Sequence, residues 1–405
     1  MKKEVTTKDK YFRIRITLSV ILLLFSALLM ILASGRPEFA EWYSEHVYPV
    51  WVSVLGRFSG LFPFSLSEIL IYILLFVFIM SLIRLIVRVI RIGRKRRRAG
   101  AGQEGRTEYS ERASITGEEP DAGVESDRQV VVCLSPTVLI ASWLSCVLLT
   151  VGILAFLYTV CCGINYHRRS FSEEEGIVTY QYSVEDLKEI CVWLTDEVNA
   201  RAGEVSRDAD GIMMLDAPEG SGAVEAMEHL AEEFPVMEGD YPQPKKLIVS
   251  EILSWQGLTG IYLPFTVEAN YNGDMTAYNI PFTVCHELSH LRGFMQEQEA
   301  NFIAFLACLN SERTDFQYSG YLSGWVYCMN ELYRADYEVW QEVRGMLTEE
   351  AEPDLTANNA FWDRYEGMIS ETADRINDTY LKANGQADGV QSYNRMVDLI
   401  VAYFS

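Results

Sequence analysis

Three apolar stretches limit what this 405-residue chain can fold into more than any other feature of its sequence. They lie at about residues 16–33, 66–92 and 136–162, and only the second carries charge, with Glu68 at one end and three arginines at the other. A helix of about 20 predominantly apolar residues spans the hydrocarbon core of a bilayer. We therefore expect three membrane-spanning helices, followed by a large domain outside the bilayer at residues 163–405.

The distribution of basic residues predicts how these helices are oriented. Six Lys and Arg precede residue 16, and a run of five fills residues 94–98. Basic flanks of membrane spans stay in the cytoplasm, where they also meet anionic lipid headgroups. The N-terminus and the linker at residues 93–135 are thus predicted to be cytoplasmic. The linker begins with the basic run and continues, from residue 99 to about 130, as a Gly-, Ser- and Glu-rich stretch that we expect to be disordered. The aromatic-rich loop at residues 36–65 and the domain at 163–405 are then external, and the loop aromatics are typical of a membrane-interface belt.

The charge of the large domain excludes one class of partner. Residues 161–405 carry a formal charge of −27, whereas the first 160 residues carry +5. A surface this acidic does not attract nucleic acid. The eight cysteines show no C-x-x-C spacing, so the sequence does not indicate a cysteine-based zinc site.

The strongest chemical signal is the segment His286-Glu287-Leu288-Ser289-His290, which matches H-E-x-x-H. Residues four apart lie on one face of a helix, so the two imidazoles are predicted to converge on one point. Zinc binds imidazole nitrogen well, and a catalytic zinc needs three protein ligands and one open position. Glu287 is placed to accept a proton from a water at that open position. The bland alternative is a helix that carries two histidines by chance.

The third ligand is expected just after the motif. Gly293 is a residue at which the first helix can end, which would let a second helix fold back and present a carboxylate. Gln296 stands where a metzincin would have its third His, which argues against that site. The segment from Glu297 to Asn301 instead resembles the E-x-x-A-D segment of integral-membrane zinc proteases. That resemblance implies Glu297 as ligand and Asn301 as the residue that orients a ligating histidine through a hydrogen bond, and Glu299 remains an alternative ligand.

The rest of the large domain predicts an α+β, mostly helical fold. Residues 184–202 have helical periodicity, with Leu187, Ile190, Cys191, Leu194 and Val198 on one face. Residues 258–270 have strand composition and precede the motif helix, so an edge strand is expected beside the site, where it could hold an extended peptide. A strand followed by a metal-binding helix is typical of a zincin-like metallopeptidase domain.

A wider resemblance covers most of the chain. It rests on the three spans, on GINYHR at residues 163–168, on the segments at 281–294 and 297–308, and on a late segment at 377–400. Together they resemble a bacterial family of uncharacterised three-span membrane proteins in the HExxH metallopeptidase clan. The late segment itself carries no chemistry that we can name, and packing is the simpler interpretation.

Motif and resemblance together predict a membrane-anchored zinc metallopeptidase that hydrolyses peptide or protein substrates outside the cytoplasmic membrane. The alternative is a non-catalytic membrane sensor or cell-envelope binding protein on the same scaffold. The intact Glu287 favours the enzyme.

Overall fold

The computed structural model describes the backbone of residues 2–116 and 135–405, and the side chains of residues 10–94 and 135–405. These residues form two compact units, Met1–Leu24 with Leu70–Leu154 and Phe25–Ile69 with Ala155–Ser405. The helices are α1 (Lys2–Gly35), α2 (Pro37–His46), α3 (Tyr48–Trp51), α4 (Arg57–Gly60), α5 (Leu66–Thr116), α6 (Pro136–Cys161), α7 (Phe171–Glu174), α8 (Val184–Ala202), α9 (Glu219–Glu233), α10 (Glu251–Trp255), α11 (Asn279–Arg292), α12 (Glu297–Leu309), α13 (Thr314–Ala335), α14 (Tyr337–Arg344), α15 (Glu352–Asp363), α16 (Met368–Ala383) and α17 (Met396–Phe404). The strands are β1 (Lys245–Lys246), β2 (Gly260–Leu263) and β3 (Glu268–Tyr271).

Three helices are long and apolar enough to cross a membrane, as the sequence predicts. They are Lys10–Gly35, Leu66–Arg94 and Pro136–Cys161. The second belongs to α5, which runs on to Thr116. Residues 99–116, which belong to the stretch expected to be disordered, are therefore helical, and residues 117–134 of the predicted linker lie outside the described residues.

The first unit is held together by polar contacts between its helices as well as by apolar surface. Arg15 of α1 donates from its guanidinium to Cys146 Sγ at 2.9 Å and to Ser142 Oγ at 3.1 Å, both on α6. Trp143 Nε1 donates to Ser81 Oγ of α5 at 3.0 Å. Such bonds satisfy polar groups that the surrounding apolar residues cannot.

The second unit is mostly helical, with one small sheet. The face of α8 that the periodicity predicts to be buried, Leu187, Ile190, Cys191, Leu194 and Val198, is buried at every position. The sheet has the order β1-β3-β2, with β2 antiparallel to β3 at one edge. The single strand expected over residues 258–270 is thus two strands, because the chain turns between them at Val267, which has φ 54°.

The segment between the first two spans is part of the second unit. It forms α2 to α4, and two of its tyrosines are buried. Tyr43 Oη donates to Val160 O at 2.9 Å, and Tyr48 Oη donates to Leu291 O of α11 at 2.8 Å. The interpretation of these rings as a membrane-interface belt is therefore wrong for Tyr43 and Tyr48, because both are in the protein core.

Candidate metal centre

Two helices joined by a tight turn position the residues of the motif, and the turn is the one that the sequence predicts. Helix α11 ends at Gly293, which adopts a left-handed conformation with φ 106°. Phe294 N then donates to Ser289 O, which satisfies a carbonyl at the helix end. Helix α12 begins at Glu297, four residues after Gly293, so its first turn faces the last two turns of α11.

The turn brings three possible metal ligands together. Glu297 Oε2 lies 3.2 Å from His286 Nε2 and 3.4 Å from His290 Nε2, and the three side chains are buried. One ligand atom of each lies within 4.8 Å of the other two. Zinc ligands at about 2.0–2.1 Å in a tetrahedron are roughly 3.3 Å apart. The separations from Glu297 to both histidines therefore fit a tetrahedral site.

The protonation of His290 also suits a metal ligand. Its Nδ1 lies 2.8 Å from Phe294 O, and because a carbonyl only accepts, Nδ1 carries the proton. This leaves Nε2 as the nitrogen that points to Glu297, and such backbone contacts fix ligand orientation in metal sites. His286 Nδ1 has no hydrogen-bond partner among the described residues.

Charges within the cluster compensate each other. Burial opposes a charged imidazole, but the carboxylate of Glu297 raises the pKa of His290 to about 9. Burial also acts to raise the pKa of Glu297, but the two imidazoles hold it far below its ordinary value. The pKa of His286 is lowered, chiefly by burial. The protein alone therefore holds an ionised Glu297 beside one charged and one neutral imidazole.

Glu287 borders the same site but is not among its three ligands. It is buried, and its Oε2 has no hydrogen-bond partner among the described residues. Burial raises its pKa to about 8. Gly260 of β2 lies directly against it, and a Cβ at that position would come within 2.4 Å of Glu287 Oε1. The Oε2 atom of Glu287 is thus buried without a partner beside the cluster, in a space that the missing side chain of Gly260 leaves open.

Glu299, the alternative third ligand, points elsewhere. Its carboxylate accepts from Ser172 N at 2.9 Å and from Ser172 Oγ at 2.8 Å, at the start of α7. Residues two apart on a helix face in different directions, so Glu297 and Glu299 cannot both face α11. The geometry thus brings Glu297, and not Glu299, to the two histidines.

Asn301 lies beside the cluster, one helical turn after Glu297. It is buried, and its side chain acts to raise the pKa of His286. Its Nδ2 donates over long distances, 3.4 Å to Tyr393 O and 3.5 Å to Tyr327 Oη. Asn301 therefore connects the cluster to two tyrosines that the sequence did not single out.

A cavity of about 380 Å³ opens onto the site. Its lining includes His286, Glu287 and Asn301 on one side and Gly257 to Gly260 on another. Asn377, Val390 and Tyr393, from the late segment, complete it. The interpretation of that segment as packing alone is therefore incomplete. No spacing signal marks these residues, because they meet the motif only through the tertiary fold.

Within the described part of the chain, His286, His290 and Glu297 form the only cluster of this kind. A family model described as "Protein of unknown function (DUF3810)" matches residues 43–105 and 132–401, which include every residue of the site. No curated protein and no solved structure matches the chain.

Proposed function

Because the chain belongs to the DUF3810 family, whose description names no activity, we propose a function from the site itself. The protein is a membrane-anchored zinc metallopeptidase of the HExxH type, with a zincin-like domain. The observation that carries this proposal is the convergence of His286, His290 and Glu297, beside a cavity that His286 and Glu287 line. Two imidazoles and one carboxylate are a donor set of catalytic zinc sites.

Zinc, when bound by His286, His290 and Glu297, would supply Lewis-acid chemistry for water and for a peptide carbonyl. Glu287 accepts a proton from the attacking water and returns it to the amine as the C–N bond breaks. The positive charge of a cation nearby favours the ionised form of Glu287, which offsets the effect of burial on its pKa.

Two further parts of the cavity have roles in this proposal. The phenol of Tyr393 is the candidate donor to the oxyanion, since Tyr393 lines the cavity with His286 and Glu287. Burial raises the pKa of Tyr393 well above its usual value, and the charges of Glu297 and Glu287 add to this effect, which keeps the phenol protonated. The edge strand β2 borders the cavity at Gly260, where its main chain can pair with an extended peptide.

In the proposed topology the N-terminus is cytoplasmic and the site lies on the opposite side of the membrane, and the basic flanks of the spans support this orientation. The contact of Tyr48 with Leu291 supports a common side for the loop at residues 36–65 and the large domain. A periplasmic-type reporter fused after Ser405 is expected to be active, and activity only of a cytoplasmic reporter would reverse the orientation.

The metal content of the purified full chain tests the site. Wild type is expected to hold about one zinc per chain, and His286→Ala and Glu297→Gln are expected to lose it. Glu299→Gln is the matched control, because it changes a buried carboxylate in the same helix turn and is expected to keep the metal. Loss of zinc from Glu299→Gln with retention in Glu297→Gln would contradict the assignment.

Catalysis is tested separately, by mass spectrometry of a complex peptide mixture incubated with the zinc-loaded protein. Wild type and Glu299→Gln are expected to generate new peptide termini, whereas Glu287→Gln is expected to bind zinc without cleaving. Equal cleavage by Glu287→Gln would exclude the proposed mechanism. Zinc binding with no cleavage by any form would favour a non-catalytic sensor or binding protein on the same scaffold.

A further inference from the structure

An exposed apolar surface lies beside the cavity; of its rings, Trp255 contacts Tyr365 and Phe64 contacts Phe62, and both remain partly exposed. We propose that this surface, the apolar rim, inserts into the lipid interface of the membrane. Its members are large apolar side chains that are well exposed to solvent: Leu61 (77%), Phe64 (36%), Ile248 (61%), Val249 (39%), Ile252 (45%) and Trp255 (42%). Contiguous apolar surface of this kind marks a site of protein or membrane contact.

The rim is fixed to the start of a membrane span. Glu68, in the first turn of α5, accepts from Ile248 N at 2.8 Å and from Val249 N at 2.9 Å. Helix α5 begins at Leu66 and the candidate span begins there too. These two bonds therefore hold Ile248 and Val249 at the level where the span enters the membrane.

A second carboxylate reinforces this attachment. Glu268 of β3 accepts from Leu66 N at 3.0 Å and from Ser67 N at 2.7 Å, which caps the start of the span. Glu268 also pairs with Lys245 Nζ at 2.5 Å, and Lys245 Nζ donates to Ser59 O. The sheet, the loop before the span and the span are thus linked through buried polar contacts.

The same contacts place the other rim residues. Ser59 precedes Leu61 by two residues, and Phe64 lies two residues before the span. Ile252 and Trp255 belong to α10, a five-residue helix that follows Val249 directly. Each of the six members therefore lies within a few residues of a group that is hydrogen-bonded either to the start of the span or to the strand beside it.

The composition of the rim fits an interface better than it fits the centre of a bilayer. Aromatic side chains such as Trp255 and Phe64 are enriched where lipid headgroups meet hydrocarbon. The charged residues nearby, Lys246 and Glu251, are exposed, and Glu251 lies between Val249 and Ile252 in the sequence. Long charged side chains at this depth reach the aqueous phase. A shallow insertion satisfies both groups of residues.

Insertion of the rim has a consequence for the cavity. Gly257 follows Trp255 by two residues, and the wall from Gly257 to Gly260 lines the cavity. One wall of the cavity therefore starts beside lipid. If the site is the peptidase proposed above, on which this step rests, its substrates include peptide segments that lie close to the membrane surface.

The test measures lipid exposure directly and does not depend on activity. A nitroxide label is attached at Ile252→Cys in full-length protein that also carries Cys133→Ser and Cys146→Ser, so that the label does not react elsewhere. Among the cysteines that the structure describes, Cys146 is exposed and the others are buried. The protein is reconstituted in vesicles of phosphatidylethanolamine and phosphatidylglycerol. The matched control is Met346→Cys, since Met346 is 41% exposed, close to the 45% of Ile252.

The label at Ile252 is expected to collide with dissolved oxygen several-fold more, relative to a water-soluble nickel chelate, than the label at Met346. Equal, water-like collision ratios at the two positions would overturn the proposal. A label at Ile252 that neither reagent reaches would also overturn it, because a protein surface would then cover the rim. Matching melting curves of both labelled proteins and wild type show that the labels leave the fold unchanged.

Discussion

The contact between Gly260 and Glu287 offers the sharpest test of the site geometry, through the substitution Gly260→Ala. A Cβ at Gly260 would lie 2.4 Å from Glu287 Oε1, 2.8 Å from Glu287 Cγ and 2.8 Å from Thr283 Cγ2. Rotation of the Glu287 carboxylate relieves only the first of these overlaps. The strand β2 must therefore move away from helix α11, or the helix must deform.

The expected loss of stability follows from this overlap. Adding a methylene-sized group to a packed core destabilises by about 1–3 kcal/mol. For a unit of this size, each kcal/mol lowers the melting temperature by roughly 2–4 °C. Truncating the partner in Glu287→Ala removes two of the three overlapping atoms. Gly260→Ala is therefore expected to cost less in the Glu287→Ala background, with a coupling of about 1 kcal/mol or more between the two positions.

The assay is a double-mutant cycle on full-length protein in detergent, followed by thermal and denaturant unfolding. Gly203→Ala is the matched control: Gly203 has φ −84° and no atom within 4 Å of an added Cβ. It is expected to change stability by about 0.5 kcal/mol at most. If Gly260→Ala lowers stability equally in both backgrounds, the close approach to Glu287 is refuted. A Gly260→Ala protein as stable as Gly203→Ala would refute the packing of β2 on α11.

Two further predictions concern the surroundings of the site. Burial raises the pKa of Glu174 to about 7, so the stabilisation that its protonated form gives below the usual Glu pKa is lost as the pH rises toward 7. The free energy of unfolding, measured from pH 5 to pH 8, is expected to fall less in Glu174→Gln than in wild type. An equal fall in both proteins would contradict the raised pKa of Glu174. Tyr48→Phe removes hydrogen bonds to Leu291 O at 2.8 Å and Tyr262 Oη at 3.0 Å, and is expected to cost about 1–3 kcal/mol in chemical unfolding, whereas Tyr333→Phe at an exposed ring is expected to change little.

Local signals in the sequence were sufficient for the centre of the site. The helical spacing of His286 and His290 predicts their convergence, and Gly293 predicts the turn that follows. The choice between Glu297 and Glu299 needed the structure, because both lie in the first turn of α12 and only the rotation of that helix decides which faces α11. Ser172, which binds Glu299, is 127 residues away in sequence.

Contacts over long sequence separations account for what sequence reasoning missed. Tyr393 reaches the cavity from more than 100 residues beyond the motif, and Tyr48 is bonded to Leu291 across 243 residues. A loop between two spans can have the same aromatic content whether its rings contact lipid or a protein core. Only the tertiary fold shows that Tyr43 and Tyr48 belong to the core.

These contacts join the membrane span to the site through the sheet. Glu268 caps the start of α5 and pairs in the sheet with Leu263 of β2. Three residues earlier on the same strand, Gly260 lies against Glu287. The start of α5 is thus linked to Glu287, the proposed proton acceptor, through one short strand and its contacts. A fragment beginning at residue 163 would lose Tyr43, Tyr48 and the capped start of α5, so the full chain is the proper unit in which to study the site.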